Sequence, residues 1–320
     1  MSRPSLRLPR LSILRLSTPR RHSSTNSPLI TTNFKISSST GHVRILELNR
    51  PQARNALSVE LVTALREQIA HVRAQYAEDG REVVFSDTQL GPTRALVIAS
   101  AVDACFCAGA DLKERQSFTP QQTSSFLTLL RTTLDDLSNL PVPTISAISS
   151  LALGGGLELA LATHFRILTT NAKVGLPETR LAIIPGAGGT HRLPDLIGRA
   201  RARDMILTGR RVTGSEAYRI GLADRLVEVQ PRKAHASDET SSPDAGLLRD
   251  ARVAAHDEAL RLANEICEGG PIAVRAAIEA VDDASPLMEV DMYDRVVDTC
   301  DRNEALKAFV EKRKPVFTGR

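Results

Sequence analysis

The 320-residue chain has no tryptophan, and aromatic residues make up only 3% of it. So few aromatic rings leave little material for the stacking platforms on which proteins bind single-stranded nucleic acid. No apolar run reaches the roughly 18 residues that a membrane-spanning helix needs. With 42% hydrophobic residues, the chain still has enough apolar material for a core. We therefore expect one large globular domain or two small ones.

Cysteine is also scarce, with four residues at positions 105, 107, 267 and 300. This does not match the dense disulfide framework of small secreted proteins. Cys105 and Cys107 are one residue apart, but no second cysteine or histidine pair lies nearby, so a zinc site is not predicted. We expect reduced and mostly buried thiols, and no metal.

Acidic residues are absent from the beginning of the chain, and the first one is Glu47. Residues 1–30 are rich in serine and contain six arginines, at positions 3, 7, 10, 15, 20 and 21. This composition predicts a mitochondrial transit peptide and a matrix location; a disordered basic tail is the alternative. The six arginines account for more than the whole formal net charge of +4, which is therefore poor evidence for a nucleic-acid surface.

The rest of the chain alternates short apolar runs with segments of helical periodicity. Strands are predicted at 42–51, 94–100, 144–149 and 165–170. Helices are predicted at 58–76 with Ser58 as N-cap, at 119–139, from the glycines at 154–156 to about 163, and throughout the chain after 250. The polar segments 77–93 and 230–247 are predicted loops or insertions. This order favours an α/β protein with parallel strands and a helical C-terminal part.

One carboxylate interrupts an otherwise apolar segment, LALGGGLELALA at 151–162. Glu158 is the only Asp, Glu, Lys or Arg between Asp136 and Arg166. An ionised carboxylate that is buried without a partner is very costly. We therefore expect that Glu158 has a partner, stays protonated, or lines a cavity in which its chemistry is used.

Three glycines, Gly154 to Gly156, precede Glu158 where a strand is expected to turn into a helix. Backbone N–H groups at such a turn have no internal partners and favour negative charge, and glycine lets a ligand approach them. The turn therefore predicts an anion or oxyanion site. It lacks both the Gly-Lys-Ser/Thr of a phosphate-binding loop and the G-x-G-x-x-G spacing of a dinucleotide site. Tight helix–strand packing is the alternative.

A second turn of small residues occurs in FCAGADLKER at 106–115. Two turns that each present an N–H group to one oxygen would form an oxyanion hole. Glu178 follows Pro177 in a segment predicted to be non-helical, just after a strand. Near such a hole, Glu158 and Glu178 would handle protons or a water molecule. An ordinary acid on a surface turn is the alternative for Glu178.

Five segments together resemble the enoyl-CoA hydratase/isomerase (crotonase) family: CAGADLKER, NLPVPTISAIS, LALGGGLELALA, GLPETRLAIIPGAGGTHRLP and AFVEKRKP. The similarity runs from about residue 40 to 318, interrupted at 77–93 and 230–250. It implies an α/β crotonase spiral of β–β–α units over 31–250 and a helical oligomerisation region over 251–320. It also implies a homotrimer or a dimer of trimers that acts on acyl-CoA, with coenzyme A as part of the substrate and no separate cofactor.

The resemblance implies roles for individual residues. The N–H groups of Ala110 and Gly155 would bind the thioester oxygen, and Glu158 and Glu178 would lie on either side of a water molecule. Glu178 would be the base and then supply a proton, while Glu158 would hold the water. Contacts with coenzyme A or the acyl group are implied for Ala53, Ala108, Asp111, Leu112, Lys113 and Arg115.

The presence of both acids favours hydration, because the isomerases of the family generally work with one, usually at the Glu178 position. The segments are most similar to mitochondrial members that hydrate 3-methylglutaconyl-CoA in leucine degradation. A general short-chain enoyl-CoA hydratase of fatty-acid β-oxidation is the alternative. The distal carboxylate of 3-methylglutaconyl-CoA needs a cation, and Lys113 and Arg115 are the candidates. Surface charge, or pairing with coenzyme A phosphates, is the competing interpretation of both.

RNA binding is the competing function from a different class. Animal relatives bind RNA through a lysine-rich helix, but the matching segment here, residues 54–76, has three arginines, two glutamates and no lysine. We therefore expect little affinity for RNA phosphates.

His164 stands where the family typically has aspartate, which predicts altered packing and not lost activity. His42 and His191 are predicted to be surface residues.

Overall fold

The computed structural model describes residues 27–36, 40–77, 80–83, 90–230 and 243–320. The predicted transit peptide, 1–30, falls almost entirely outside these residues, as do parts of the predicted insertions at 77–93 and 230–250. Among the described residues, no helix has the length and hydropathy needed to cross a membrane. In the same ranges, no group of three or more His, Cys, Asp or Glu side chains is arranged to hold a metal ion.

A six-stranded sheet forms the centre of the fold. Its strands are β1 (Leu29–Lys35), β2 (His42–Leu48), β3 (Thr93–Ser100), β5 (Thr144–Ile148), β7 (Phe165–Thr169) and β10 (Arg225–Val227), in that spatial order. β1 and β2 pair antiparallel, and all the later neighbours pair parallel. The predicted parallel α/β architecture is therefore confirmed, with one antiparallel edge.

A second sheet has four strands of three residues each. They are β4 (Cys105–Cys107), β6 (Leu151–Leu153), β8 (Lys173–Gly175) and β9 (Arg211–Thr213), and only the β8–β9 pair is antiparallel. β3, β5 and β7 of the first sheet are each followed directly by a short strand of the second, and a helical segment comes next. This repeated strand–strand–helix step makes the fold a spiral.

The helices complete the spiral. They are α1 (Val59–Arg73), α2 (Leu112–Arg115), α3 (Pro120–Ser138), α4 (Gly155–Leu161), α5 (Gly189–Ile197), α6 (Arg199–Thr208), α7 (Gly214–Arg219), α8 (Pro243–Ile266), α9 (Pro271–Asp283), α10 (Pro286–Val297) and α11 (Cys300–Glu311). Short 3-10 helices span Pro51–Ala53 and Glu178–Leu181. The described chain after 243 is thus helical, as the pattern predicted.

The central sheet is covered on both faces. In β3, Leu96 and Ile98 join the core beneath the other helices, whereas Ala95 and Val97 join the core beneath α8. This explains why RALVIAS is a continuous apolar run and not an alternating one. α8 contributes alanines four residues apart, at 251, 255, 259 and 263, all fully buried. Such small side chains let a helix lie close to a sheet.

Local signals placed the long helices correctly. Ser58 accepts a hydrogen bond from the Leu61 N–H at 3.2 Å and begins α1. Thr119 and Gln122 form a reciprocal capping box at the start of α3. The sequence prediction missed the three-residue strands, which are too short to show a period. β6 therefore leads into the glycine turn, not the strand predicted at 144–149, and Glu178 begins a 3-10 helix where a non-helical segment was expected.

The histidine predictions succeeded in part. His191 is exposed, as expected. His42 is 2% exposed, so its predicted surface position is wrong. Its Nδ1 lies 3.0 Å from the Gly91 carbonyl and its Nε2 lies 3.2 Å from Thr93 Oγ1. Burial, followed by the nearby Arg44, lowers the pKa of His42 to about 4.

The environments of His164 and of the cysteines are also defined. His164 Nδ1 accepts the Thr144 backbone N–H at 3.0 Å and lies 2.8 Å from the Thr144 hydroxyl, so it ties the starts of β5 and β7 together. Among the cysteines, Cys105, Cys107 and Cys267 are buried and unpaired, whereas Cys300 is exposed. Burial raises the pKa of the three buried thiols, to about 11 for Cys105 and about 12 for the other two.

Candidate active site

The glycine turn between β6 and α4 is shaped by close backbone contacts. Gly154 has φ +53° and ψ −127°, a conformation essentially restricted to glycine. A Cβ at Gly156 would lie 2.3 Å from the Cys107 carbonyl oxygen. Only glycine at 156 therefore lets the start of α4 lie against the end of β4. The alternative of tight packing is correct for this one position, and it also brings the two predicted turns together.

The second turn, at 107–111, is held by Leu57. The Leu57 N–H donates to the Gly109 carbonyl at 2.8 Å, and the Leu57 carbonyl accepts the Asp111 N–H at 3.1 Å. The N–H of Ala110, between these two residues, does not bond to Leu57. Within the described residues, neither Ala110 N–H nor Gly155 N–H donates to a protein acceptor.

The two unpaired N–H groups are neighbours. A Cβ at Gly155 would lie 3.6 Å from the Ala110 nitrogen, and a Cβ at Gly109 would lie 3.5 Å from the Gly155 nitrogen. Gly109 has φ +100°, which glycine tolerates and other residues rarely adopt. Two strained glycine turns therefore bring two free backbone donors side by side. An oxyanion hole is built from two such neighbouring donors.

Glu158 is buried and has backbone partners. Its Oε1 accepts the N–H of Ala187 at 2.7 Å and the N–H of Gly189 at 2.9 Å. Burial raises the pKa of this carboxyl, and the two N–H groups act in the opposite direction. The buried acid in the apolar segment therefore does have a partner, which lies about thirty residues further along the chain in the GAGG loop (186–189).

Glu178 occupies a different environment. It is 9% exposed, and its buried Oε2 has no hydrogen-bond partner among the described residues. A Cβ at Gly154 would lie 3.0 Å from Glu178 Oε1. This oxygen therefore lies beside the residue that precedes the Gly155 N–H. Burial first, and then the charge of Glu158, raise the pKa of Glu178 to about 7. A buried, unpartnered carboxylate oxygen marks a position for a water molecule or a substrate atom.

The residues expected to contact coenzyme A lie around the second turn. Ala53 ends the 3-10 helix, and the following residue, Arg54, accepts the Ala108 N–H at 3.1 Å. Leu112 is 50% exposed, and Ala108 and Lys113 are also exposed. The hydrogen bond brings Ala108 close to Ala53, and Leu112 and Lys113 directly follow the turn that contains Ala110.

Asp111 and Arg115 are engaged within the protein. Asp111 accepts the Glu114 N–H at 3.3 Å as N-cap of α2 and pairs with Arg50 at 3.0 Å. The Arg115 guanidinium lies over the Phe126 ring, 5.9 Å from its centroid. The carboxylate of Asp111 is therefore already satisfied, whereas Arg115 keeps a partly exposed cation near this surface.

Sequence reasoning missed the groups that support Glu158. Arg192 donates to the Ala187 carbonyl at 3.2 Å and pairs with Asp135 at 2.5 Å. Arg131 donates to the Gly186 carbonyl at 2.6 Å. The glycines of the GAGG loop were a visible signal for a loop that holds a ligand or a side chain. The arginine on α3 gave no local signal at all.

The chain is similar to known proteins in both sequence and fold. The family model described as enoyl-CoA hydratase/isomerase matches residues 39–237. A methylglutaconyl-CoA hydratase 1, mitochondrial, of Pyricularia oryzae is 60% identical over 305 residues, covering 92% of this chain and 87% of that protein. An enoyl-CoA isomerase/hydratase of Zymoseptoria tritici is 53% identical, covering 88% and 85%. The crystal structure of an enoyl-CoA hydratase from Bacillus anthracis superposes with a TM-score of 0.72 at 38% identity, covering 89% and 99%.

Proposed function

Because the chain belongs to the enoyl-CoA hydratase/isomerase family, we propose that it is a lyase that adds water across the 2,3 double bond of 3-methylglutaconyl-CoA. The substrate follows from the Pyricularia oryzae relative, which is named a methylglutaconyl-CoA hydratase and is 60% identical over most of both chains. The observation that carries the reaction is the pair of buried carboxylates, Glu158 and Glu178, beside two free backbone N–H groups.

The two N–H groups would activate the substrate. The thioester oxygen would accept from Ala110 and Gly155, and the negative charge that develops when water attacks the β-carbon would be delocalised onto this oxygen. Fixed donors stabilise such charge without having to reorganise. Losing one donor of this kind typically costs about 3 kcal/mol, or roughly a hundredfold or more in rate. No metal or separate cofactor is needed for this step, and coenzyme A enters as part of the substrate.

The two carboxylates would divide the proton transfers. Glu178 has an unpartnered oxygen and a pKa raised to about 7, which suits a base at neutral pH. It would take one proton from the water while the hydroxyl group bonds to the β-carbon, and then deliver that proton to the α-carbon. Glu158 has Oε1 committed to two N–H groups, which leaves Oε2 to orient the same water. Because the two acids interact, they share their titration.

Isomerisation of enoyl-CoA is the second candidate. The Zymoseptoria tritici relative carries both activities in its name, isomerase and hydratase. Moving a double bond needs one acid that shuttles a proton, whereas hydration also needs a held water. The two backbone N–H groups that bind Glu158, those of Ala187 and Gly189, support hydration. They give the Glu158 carboxylate a defined orientation in which it can hold the water molecule.

We also propose a homotrimer or dimer of trimers in the mitochondrial matrix. The family acts on acyl-CoA substrates and is typically oligomeric, and the Pyricularia oryzae relative is named as mitochondrial. Support for the assembly comes from large apolar side chains that α9–α11 leave exposed, namely Val281, Leu287, Tyr293, Phe309 and Val310.

The proposed transit peptide, 1–30, lies almost wholly outside the described residues. RNA is not a proposed partner, because the 54–76 segment offers few phosphate-neutralising charges.

The test is to purify the protein and follow the loss of ultraviolet absorbance of the enoyl thioester. Crotonyl-CoA and 3-methylglutaconyl-CoA are compared side by side, with Glu158→Gln and Glu178→Gln as inactive controls. Strong preference for 3-methylglutaconyl-CoA supports the proposal. Preference for crotonyl-CoA instead identifies a general short-chain hydratase, and activity only as double-bond migration identifies an isomerase.

A further inference from the structure

The proposed substrate carries a second negative charge close to the reacting atoms. In 3-methylglutaconyl-CoA, the distal carboxyl carbon is two bonds from the β-carbon that water attacks. This carboxylate must therefore lie near the carboxylates of Glu158 and Glu178, where it is costly unless a cation meets it. The inference below rests on the proposed function, because it names the residue that supplies this cation.

The sequence candidates, Lys113 and Arg115, lie on α2 beside the surface expected for coenzyme A. Lys113 is exposed, and Arg115 lies over the Phe126 ring. The cations whose charge acts on the Glu158 carboxyl are Arg192 and Arg131. The arginines around the GAGG loop are therefore better placed than the cations on α2 to meet the distal carboxylate.

Arg192 is fully engaged within the protein. Its Nη2 pairs with Asp135 at 2.5 Å and lies 3.4 Å from the Ser138 hydroxyl, while its Nη1 donates to the Ala187 carbonyl at 3.2 Å. These contacts neutralise the charge and tie α5 to α3 across the loop. Arg192 is accordingly a support of the loop that holds Glu158, with little capacity left for a ligand.

Arg131 is anchored in a different way. Its Nε donates to the Gly186 carbonyl at 2.6 Å. Its two Nη atoms have no hydrogen-bond or ion-pair partner in the part of the chain that the structure describes, and the side chain is exposed. Gly186 is followed directly by Ala187, whose N–H binds Glu158. A guanidinium with spare donors is thus held against the loop whose N–H groups bind Glu158.

We propose that Arg131 binds the distal carboxylate of the substrate and thereby selects carboxylated enoyl-CoA thioesters. The Nε anchor on Gly186 limits the freedom of the guanidinium and leaves both Nη atoms to form a two-point contact with a carboxylate. The guanidinium lies close to the loop backbone, since a Cβ at Gly186 would lie 4.0 Å from Arg131 Nη2.

The test compares substrates that differ only in the distal carboxylate. Arg131→Gln removes the charge but retains an amide N–H for the Gly186 carbonyl. Its kcat/KM is measured with 3-methylglutaconyl-CoA and with 3-methylcrotonyl-CoA, which has the same skeleton without that carboxylate. We expect a loss of roughly 10- to 100-fold with the first substrate, and less than about threefold with the second, since one charged hydrogen-bonding partner is removed.

A matched control is Arg73→Gln. Arg73 is also exposed and also donates to one backbone carbonyl, that of Asn139 at 2.8 Å, but it lies at the end of α1. Arg73→Gln should leave kcat/KM unchanged for both substrates. A binding measurement independent of turnover uses the Glu178→Gln background and the hydrated product, 3-hydroxy-3-methylglutaryl-CoA. Adding Arg131→Gln there should weaken binding by a factor similar to the kcat/KM loss.

Two results would overturn the inference while leaving the proposed function intact. Equal losses with both substrates would make Arg131 a support of the loop and not a specificity residue. A selective loss in Lys113→Gln or Arg115→Gln, with Arg131→Gln unaffected, would place carboxylate recognition on α2. Failure of the proposed function is distinct, because the unmodified protein would then not prefer 3-methylglutaconyl-CoA over crotonyl-CoA.

Discussion

Glu158 is held by the backbone N–H of Ala187, at 2.7 Å from its Oε1, and the second N–H on the same oxygen comes from Gly189. The carboxylate is thereby fixed without a salt bridge, and its second oxygen remains available. Glu178 has no such cradle. The different environments of these two acids underlie the predictions for the glutamine variants and for the pH dependence of the rate.

Replacing either acid with glutamine should abolish hydration without unfolding the protein. Glu178→Gln removes the proposed base and should lower kcat by roughly 10²- to 10⁴-fold, the range for one general base. Glu158→Gln retains an oxygen for the Ala187 and Gly189 donors, so the fold should persist while water orientation is lost. Steady-state kinetics and thermal melting provide the measurements. Glu60→Gln, on the exposed face of α1, is the matched control and should change neither.

The pH dependence of kcat/KM should report the unusual environment of Glu178. Burial and the charge of Glu158 raise its pKa to about 7, and only its ionised form can accept a proton from water. The rate should therefore rise as pH increases through about 7 and level off above it. Turnover of crotonyl-CoA between pH 5.5 and 8.5 tests this. A profile that is flat over this range would show that Glu178 titrates as an ordinary surface acid.

Gly156→Ala should disrupt the contact between the two turns. The new Cβ would lie 2.3 Å from the Cys107 carbonyl, and a backbone atom in a strand cannot move aside cheaply. We expect a loss of several kcal/mol of stability together with activity, because β4 and α4 would separate.

Gly246→Ala is the corresponding control for that glycine. Gly246 is within α8, and a Cβ there would meet nothing within 4 Å. Alanine should raise stability by about 0.5–1 kcal/mol through its better helix propensity. Chemical denaturation of both variants checks the pair, and equal stabilities for the two would contradict the packing argument.

Acid should destabilise the protein partly through His42. Burial lowers its pKa from 6.5 to about 4, so the folded state holds the neutral ring while the unfolded chain binds a proton more readily. The contribution of His42 to stability is complete above about pH 6.5 and declines as the pH falls toward 4. By pH 5 the loss amounts to about 2 kcal/mol.

Comparison of His42→Gln with the parent isolates this effect from other acids. The stability difference between the two proteins, measured by urea denaturation, should be about 2 kcal/mol smaller at pH 5 than at pH 7.5. His191→Gln, at an exposed position, should show no such change. A difference that is independent of pH would mean that His42 is solvated in the folded protein.

Much of the fold and part of the site were determined by local sequence. Ser58 and the Thr119–Gln122 pair begin their helices because capping hydrogen bonds span only three residues. The apolar periods identified β2, β3, β5 and β7 and the helices α1 and α3, but they missed the seven-residue strand β1. The glycines at 154–156 and the acid at 158 indicated a turn with chemistry, because three glycines and a carboxylate are poorly explained by a simple core segment.

Only the tertiary structure decided the contacts between distant segments. β4, β6 and β8 are strands because neighbours far along the chain pair with them, since three residues carry no period of their own. The cradle of Glu158 and the anchoring of Arg131 join α4 and α3 to one loop. His42 is buried because the Gly91–Thr93 segment packs against β2. Such contacts depend on the packing of elements, which short-range propensities do not encode.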